Sequence, residues 1–567
     1  MAILYNELKT PYNVYSEDGK LHWDVYPRPQ LVRASFLSLN GKWSFGEGDD
    51  ASSEILVPFP PESACSGYGK EIGSGKMTYK KSVTLPGNFI NDRLIIHFGA
   101  VDQIAELYVN ESLVMRNEGG YIPFSADITD YVTEDSFEIM LKVTDTLDQT
   151  YPYGKQRKKR GGMWYTPISG IWQTVWLESL PKKPIVSLTI EQNTNSAKIK
   201  VNSEAENKKL TLHCDGSVYE FDGDEITLTP SEPRLWTPED PYLYRFTLST
   251  DTDEIESYFA LREIGTRSRN GINYLTLNGE PYLFSGLLDQ GYFPDGIFLP
   301  PSPEAYKDDI LLAKRLGFNT LRKHIKIEPM IFYHLCDELG MVVFQDMVNN
   351  SDYSFFRDTA LPTIGFKKLD PSRFHKDALS HARFNAQATA TVELLRNTPS
   401  VLLYTIFNEG WGQFLSDTEY LIFKDLDPTR IYDTTSGWFT GKKSDVDSRH
   451  VYFKTPKIKR SDGRPIHLSE FGGYSLRIEG HVFGKDNYGY KLFRGKEEFA
   501  DAVCKLYRDI APLAKKGLSA LIYTQLSDVE DETNGLITYD RLEVKIDEER
   551  MKEANEILFS AFREATK

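Results

Sequence analysis

From about residue 266 onward, short apolar segments alternate with long amphipathic segments, and this alternation constrains the fold of the 567-residue chain more than any other feature. Strands that alternate with helical patterns of this length indicate parallel βα units. Two of the helical patterns run from Glu304 to Leu316 and from Pro329 to Leu339. Eight such units in about 300 residues are the number that a (β/α)8 TIM barrel requires. The predicted strands are 282–287, 318–322, 341–345, 401–407, 431–434, 449–452, 466–469 and 519–524.

The first half of the chain has a different pattern. Residues 1–183 contain short runs of alternating apolar and polar residues, such as 93–98 and 104–109, separated by Gly, Asn and Pro. Runs of this period and length predict an antiparallel β-sandwich. Residues 184–265 continue in strands and suit a small immunoglobulin-like sandwich. The chain is therefore predicted to be multidomain, with the barrel occupying 266–567.

Composition excludes several classes of partner. The net charge of −16 argues against nucleic acid and anionic membrane surfaces, because phosphate binding needs clustered cations. No apolar run approaches the roughly 18 residues that cross a bilayer. The start lacks the pattern of a signal peptide, so we expect a cytoplasmic protein, although a cleaved signal peptide would leave the same start. The four cysteines are far apart, and we predict neither a metal site nor a cofactor.

One basic run departs from this acidic balance. Residues 155–160 read Lys-Gln-Arg-Lys-Lys-Arg and are followed by two glycines. The pattern predicts an exposed loop with a solvated cluster of charges. A contact between this loop and an acidic substrate is the alternative.

Polar side chains stand at the carboxyl ends of the predicted barrel strands. Barrels of this type carry their chemistry at those ends, and polar groups are costly to bury without a purpose. The predicted rim residues include, in chain order, Asp289, Gln290, Arg322, His324, Asp346, Asn408, Glu409, Trp438, His450, Tyr452, Glu470 and Gln525.

Glu409 and Glu470 are the candidate catalytic pair. Each follows a strand, the fourth and the seventh, and these strands lie on opposite sides of a barrel, so the two side chains can converge across its mouth. Two carboxylates that face each other across a sugar are what glycosidic cleavage needs. The acid must be protonated and its partner ionised, and Arg322 is the candidate cation beside Glu470. Unrelated surface carboxylates that cap loops are the alternative interpretation.

Several segments of the chain resemble glycoside hydrolase family 2, the family of β-galactosidases, β-glucuronidases and β-mannosidases. They follow the family's order along nearly the whole chain. The segments are 169–178, 317–322, 336–346, 407–414 (Phe-Asn-Glu-Gly-Trp-Gly-Gln-Phe), 468–473 (Leu-Ser-Glu-Phe-Gly-Gly), 523–530 and 534–540.

The resemblance implies a jelly-roll sandwich, an immunoglobulin-like domain and a catalytic barrel, and a retaining double displacement. It makes Glu409 the general acid/base and Glu470 the nucleophile. Many members carry Arg-x-x-His after the second strand, whereas Arg322 and His324 are two residues apart here, so a buried structural histidine is the alternative at His324. It makes Asn408 a hydrogen-bond partner of the sugar 2-hydroxyl, and His324 and Asp346 ligands of sugar hydroxyls. It makes Arg322 and Tyr452 supports of the nucleophile. Gln525, at the end of strand eight, is a further candidate for substrate binding.

The sequence constrains the identity of the sugar less than it constrains the type of reaction. Asp289 and Gln290 are expected to hold the non-reducing sugar, and Trp411 and Trp438 either form a stacking floor or pack in the core. The prediction is an exo-acting, β-galactosidase-like hydrolase, with β-glucuronidase, arabinofuranosidase or galactofuranosidase activity as alternatives. A transglycosylase and a non-catalytic carbohydrate-binding protein are the rivals, and the resemblance allows a homo-oligomer.

Overall fold

The structure is a computed structural model that describes residues 8–205, 209–361, 371–458 and 462–567. It has two β-sandwiches followed by a barrel, as predicted. None of the described helices is long and apolar enough to cross a membrane. The predicted boundaries, between residues 183 and 184 and between 265 and 266, stay a prediction.

The first sandwich packs a four-stranded sheet, in the order β1-β12-β5-β9, on a six-stranded sheet, in the order β3-β2-β4-β10-β7-β8. Alternation along the strands explains the packing, because every second residue of β10, from Phe137 to Val143, is buried. The strands are β1 (Phe36–Ser38), β2 (Gly41–Glu47), β3 (Ser53–Val57), β4 (Lys76–Thr84), β5 (Arg93–Phe98), β6 (Val101–Asp102), β7 (Ile104–Val109), β8 (Ser112–Glu118), β9 (Phe124–Asp127), β10 (Ser136–Thr144), β11 (Gly170–Ile171) and β12 (Val175–Leu180).

The second sandwich has seven antiparallel strands in sheets of three and four, the number of an immunoglobulin constant-type domain. They are β13 (Ile185–Gln192), β14 (Ala197–Ser203), β15 (Lys209–Cys214), β16 (Ser217–Asp222), β17 (Glu225–Leu228), β18 (Tyr244–Ser249) and β19 (Glu254–Phe259). A small sheet then leads into the barrel, formed by β20 (Ile264–Arg269), β21 (Ile272–Leu277) and β22 (Glu280–Pro281).

All eight predicted barrel strands are present and parallel. The first strand begins two residues later than predicted because Tyr282 still bonds to Leu275 in the preceding sheet. Strands one to eight are β23 (Phe284–Asp289), β24 (Thr320–Lys323), β25 (Val342–Asp346), β26 (Val401–Asn408), β27 (Ile431–Ser436), β28 (Asp447–Val451), β29 (Ile466–Gly472) and β32 (Leu518–Thr524), with a small added pair, β30 (Tyr474–Leu476) and β31 (Lys491–Phe493).

Backbone pairing runs around the barrel from strand five through one to strand six. Side chains join strands five and six: Ser436 Oγ lies 2.9 Å from His450 Nε2, and Ser448 Oγ donates to Asp433 at 2.6 Å. Both predicted helices are confirmed. The helices are α1 (Glu304–Arg315), α2 (Met330–Leu339), α3 (Ala378–Leu395), α4 (Ser416–Leu426), α5 (Lys496–Ile510) and α6 (Glu548–Thr566), with 3-10 turns at Ala64–Ser66, Thr129–Tyr131, Pro371–Arg373 and Ala511–Lys516 and a π-helical turn at Phe355–Ala360.

An aromatic cluster joins the first sandwich to the barrel mouth. Trp164 packs edge-on against Trp411, with ring centroids 5.0 Å apart, and Trp172 packs against Phe298 at 5.2 Å. These rings are buried and form one hydrophobic core shared by the two domains. The sandwich therefore forms one wall of the mouth.

Candidate active site

Glu409 leaves the fourth strand at a sharp backbone turn. The strand is buried along its whole length, and Glu409 follows it in the left-handed region, with φ of 55°. Non-glycine residues rarely adopt this conformation, and it concentrates at functional sites. Its N–H donates to the carbonyl of Ser436 at 2.9 Å, which holds the turn against strand five. The carboxylate is thereby raised to the mouth, where 16% of the side chain is exposed.

Glu470 lies within the seventh strand and is buried. Arg322 Nη1 lies 3.2 Å from its Oε1, and the Tyr452 hydroxyl donates to its Oε2 at 2.7 Å. Burial alone would raise the pKa of this carboxyl, but the positive charges of His450 and Arg322 outweigh it and lower the pKa to about 2. Glu470 is therefore held ionised.

The two carboxylates face each other across a narrow gap. One oxygen of Glu409, one of Glu470 and a ring nitrogen of His450 all lie within 4.8 Å of one another. The Tyr452 hydroxyl bridges the pair, at 3.2 Å from Glu409 Oε1 and 2.7 Å from Glu470 Oε2. His450 Nδ1 lies 2.7 Å from Glu409 Oε1. The structure thus brings together the predicted catalytic pair.

Arg322 organises the base of the site. Its Nε donates to Asp346 at 2.9 Å, and its Nη2 donates to the amide oxygen of Asn408, also at 2.9 Å. His324 Nδ1 lies 2.7 Å from the other oxygen of Asp346. Burial lowers the pKa of His324, whereas the charges of Arg322 and His324 overcome burial and lower the pKa of Asp346 to about 2. The arrangement keeps the arginine fixed against Glu470.

The predicted residues of strands one and eight lie in networks of their own. Asp289 pairs with Lys323 at 2.6 Å and accepts from the N–H of Gly291 at 2.9 Å. Gln290 donates to Gln525 at 2.9 Å, and Gln525 in turn donates to Glu532 at 3.1 Å. No described contact joins Asp289 directly to either catalytic candidate, so its role in sugar binding stays a prediction.

The two tryptophans take different positions. Trp411 is buried in the aromatic cluster at the sandwich interface, and its Nε1 donates to the carbonyl of Ser351 at 3.0 Å. Trp438 lies beside the catalytic pair, with its ring centroid 5.7 Å from that of His450. Of the two, Trp438 is the one placed to contact a sugar, and stacking by either stays a prediction.

The sequence placed His450 at the end of strand six but gave it no role. It is buried on strand six, two positions before Tyr452, and its Nε2 lies 3.6 Å from Glu470 Oε1. Residues two apart on a strand share a face, so the position of Tyr452 was itself the signal for His450. His450, Glu409 and Glu470 are also the described group whose atoms could hold a metal ion.

The basic run, residues 155–160, was predicted to be an exposed loop, and this prediction is wrong for the first residues of the run. Lys155 is only 9% exposed, and Arg160 lies 3.5 Å from Glu530 and 3.7 Å from Asp531. The cause is docking: the N–H groups of Tyr153 and Gly154 donate to the carbonyl of Asn349, in the barrel loop after strand three. The end of the run, Lys158, Lys159 and Arg160, is exposed as expected.

Two sandwiches in series with a barrel that carries paired carboxylates on strands four and seven define a multidomain protein of the glycoside hydrolase class. Models of one family match in the same order: the family 2 sugar binding domain at 69–181, a second family 2 domain at 167–262, and the family 2 TIM barrel domain at 300–458. The chain belongs to glycoside hydrolase family 2.

Solved structures show the same fold. A β-D-glucuronidase from Dictyoglomus thermophilum has a TM-score of 0.74 at 20% identity, covering 94% of this chain and 98% of that one. A β-glucuronidase from an uncultured Clostridium has a TM-score of 0.73 at 17% identity, covering 93% and 98%.

Curated relatives carry a different name. A β-galactosidase from Thermoanaerobacter pseudethanolicus is 25% identical over 75% of this chain and 64% of that protein. Another from Halalkalibacterium halodurans is 23% identical over 92% of this chain and 54% of that protein. The alignments thus span between about half and two thirds of these relatives' length.

Proposed function

We propose that the protein is a retaining, exo-acting glycoside hydrolase that works by double displacement. One observation carries the proposal: oxygens of Glu409 and Glu470 lie within 4.8 Å of each other at the barrel mouth. Carboxyl groups about 5–5.5 Å apart characterise retaining enzymes, whereas inverting enzymes need about 6.5–9.5 Å to fit a water molecule. The gap favours direct attack by one carboxylate.

The surroundings of the two groups support distinct roles. Glu470, held ionised by Arg322 and His450, attacks the anomeric carbon while Glu409 gives its proton to the departing oxygen. A glycosyl ester on Glu470 results. Glu409 then takes a proton from water, which attacks the same carbon, breaks the ester and releases the sugar with its original configuration.

For the sugar we propose a β-galactosidase-like specificity. Curated relatives are named β-galactosidase, while several similar solved structures are named β-glucuronidase. Residues 266–567 contain no Asn-x-Lys triplet, the element that the family resemblance would lead us to expect in the barrel of a β-glucuronidase, which favours a neutral sugar. β-Glucuronides, α-L-arabinofuranosides and β-galactofuranosides remain the alternatives for the assay.

The deciding experiment is a screen of nitrophenyl glycosides of these sugars and of β-mannose, with Glu470→Gln as the matched inactive control. We expect hydrolysis of at least one substrate, a loss on the order of 10⁵-fold in the variant, and release of the sugar with retained configuration by NMR. Wild type no faster than the variant on every substrate would make the protein a non-catalytic carbohydrate-binding protein. Added acceptor sugars that capture most of the product would instead show a transglycosylase.

A further inference from the structure

The start of the basic run is clamped against the barrel. Gly154, with φ of 66°, packs so closely that a Cβ there would lie 2.9 Å from the carbonyl oxygen of Ile325, in the loop after strand two. On the other side, the buried Gln156 donates to Asp102 at 3.0 Å and accepts from the N–H of Ile168 at 2.8 Å. Lys155, between these two residues, is therefore fixed in position at the mouth.

The ammonium group of Lys155 makes no hydrogen bond or ion pair with the described residues. The side chain is nine-tenths buried, yet no described residue makes a hydrogen bond or ion pair with its Nζ, which lies 5.7 Å from the ring centroid of Trp164. Its ammonium donors, largely shielded from water by the buried side chain, are therefore open to a partner from outside the protein.

Glu532, in the loop after strand eight, is the candidate to share such a ligand. Its Oε2 accepts from both the Tyr165 hydroxyl and Gln525, and no described donor bonds to its Oε1. The N–H of Tyr165 also donates to the carbonyl of Lys155 at 3.0 Å. Tyr165 therefore contacts both Glu532 and Lys155.

The pair lies on the Glu470 side of the site. The charge of Lys155 acts on both His324 and Glu532, and so does the charge of Glu470. Burial raises the pKa of Glu532 to about 7, with Glu470 adding to the rise. This is the side on which the proposed nucleophile meets the terminal sugar.

We propose that Lys155 and Glu532 bind two neighbouring hydroxyls of the terminal sugar, the ammonium donating to one and Glu532 Oε1 accepting from the other. The proposal rests on the proposed glycosidase function and narrows its substrate to a neutral sugar. Lysine only donates, and a carboxyl oxygen that no donor occupies accepts, so together they match a diol. A uronate carboxylate would add a further negative charge beside Glu470.

The test compares Lys155→Met with Lys158→Met, an exposed lysine of the same loop. On the best glycoside of the screen, we expect kcat/KM to fall about 10- to 100-fold in the first variant, the range for a hydrogen bond to a charged group. The second should stay within about twofold. Glu532→Gln provides an independent variant, and thermal unfolding curves show whether each variant is folded.

Monodeoxy glycosides separate sugar binding from a structural role. Removing one hydroxyl should cost wild type about 10- to 100-fold but cost Lys155→Met little. The neighbouring hydroxyl should behave in the same way with Glu532→Gln. Equal losses on every deoxy substrate would overturn the proposal, as would a wild type that prefers the matching uronide and loses that preference in Lys155→Met.

A binding measurement distinguishes a failure of this proposal from a failure of the proposed catalytic function. The neutral monosaccharide is titrated by calorimetry into Glu470→Gln protein, with and without Lys155→Met. A loss of binding in the double variant supports the pair even if the wild type hydrolyses nothing. Unchanged binding overturns the pair even if hydrolysis is confirmed.

Discussion

The two sides of the barrel mouth present the same residue type in opposite surroundings. On the strand-seven side, Glu470 is buried and meets Arg322 at 3.2 Å. On the strand-four side, Glu409 stands on a left-handed turn, partly exposed, with His450 as its close partner. The first setting holds a carboxylate ionised. The second leaves a carboxyl group with access to solvent, as an acid/base requires.

This difference shows that the neighbouring residues, rather than the two glutamates themselves, set the role of each carboxyl group. Tyr452 contacts both glutamates and so cannot distinguish them. Arg322 contacts only Glu470 of the pair and is itself locked by Asp346 and Asn408. Arg322 is therefore the contact that distinguishes the two carboxylates.

After the loss expected for Glu470→Gln, the largest expected effect comes from removing the strand-four carboxyl. In Glu409→Ala, kcat/KM for substrates with poor leaving groups should fall about 10³- to 10⁴-fold, because these need a proton donor. Dinitrophenyl glycosides, which leave unaided, should lose far less in the first step. Azide should restore turnover and give a glycosyl azide of retained configuration, measured by NMR. Rescue of Glu470→Ala instead, with an inverted product, would exchange the two roles.

An intermediate effect should follow from removing the shared donor. Tyr452→Phe deletes the hydroxyl that bonds to both carboxylates, and we expect kcat/KM to fall about 10- to 100-fold. The loss should persist with dinitrophenyl glycosides, because the bond to the nucleophile is the shorter one. Tyr490→Phe is the matched control, since that ring stacks on Tyr452 at 4.0 Å and keeps its position. Equal losses in both variants would point to packing.

Most of the fold could be predicted from local patterns in the sequence. Each barrel strand is a short apolar run that ends in polar residues, so the eight strands and the positions of Glu409 and Glu470 could be predicted from period and order. Both amphipathic helices, α1 and α2, were predicted for the same reason. These features depend on residues close together in the chain.

Contacts between distant segments could not be predicted. Lys155 reads as one lysine of a charged loop, and its burial depends on a backbone bond from Gly154 to Asn349, almost 200 residues away. The partner of Glu409, His450, lies on a different strand. Periodicity shows which face a residue takes, but not which residue of another domain or strand meets it there.

A smaller effect is expected on the stability of the protein in acid. It tests the surroundings of Glu470, on the strand-seven side, alone. The folded pKa of Glu470, about 2, lies below its ordinary value of 4.5, so its stabilisation is present above about pH 4.5 and is lost as pH falls toward 2. Between pH 5 and pH 3, the free energy of unfolding should fall more in wild type than in Glu470→Gln, by on the order of 1–2 kcal/mol. Denaturant titrations at the two pH values measure this. Parallel losses would contradict an ionised, cation-held Glu470.

The smallest expected effect is that of removing metal ions by chelation. This experiment tests whether a bound metal ion, rather than Arg322, makes the surroundings of the two carboxylates different. Glu409, His450 and Glu470 are close enough to hold a metal ion, but both nitrogens of His450 already face hydrogen-bonding partners, Glu409 and Ser436. Glu470 likewise bonds to Arg322 and Tyr452. A metal would have to displace these contacts and would block proton transfer at Glu409. We therefore expect kcat/KM to stay within about twofold after dialysis against EDTA, measured on the same aryl glycoside. A loss that Mg²⁺ or Mn²⁺ restores would show that a cation, rather than the arginine alone, sets the two carboxylates apart.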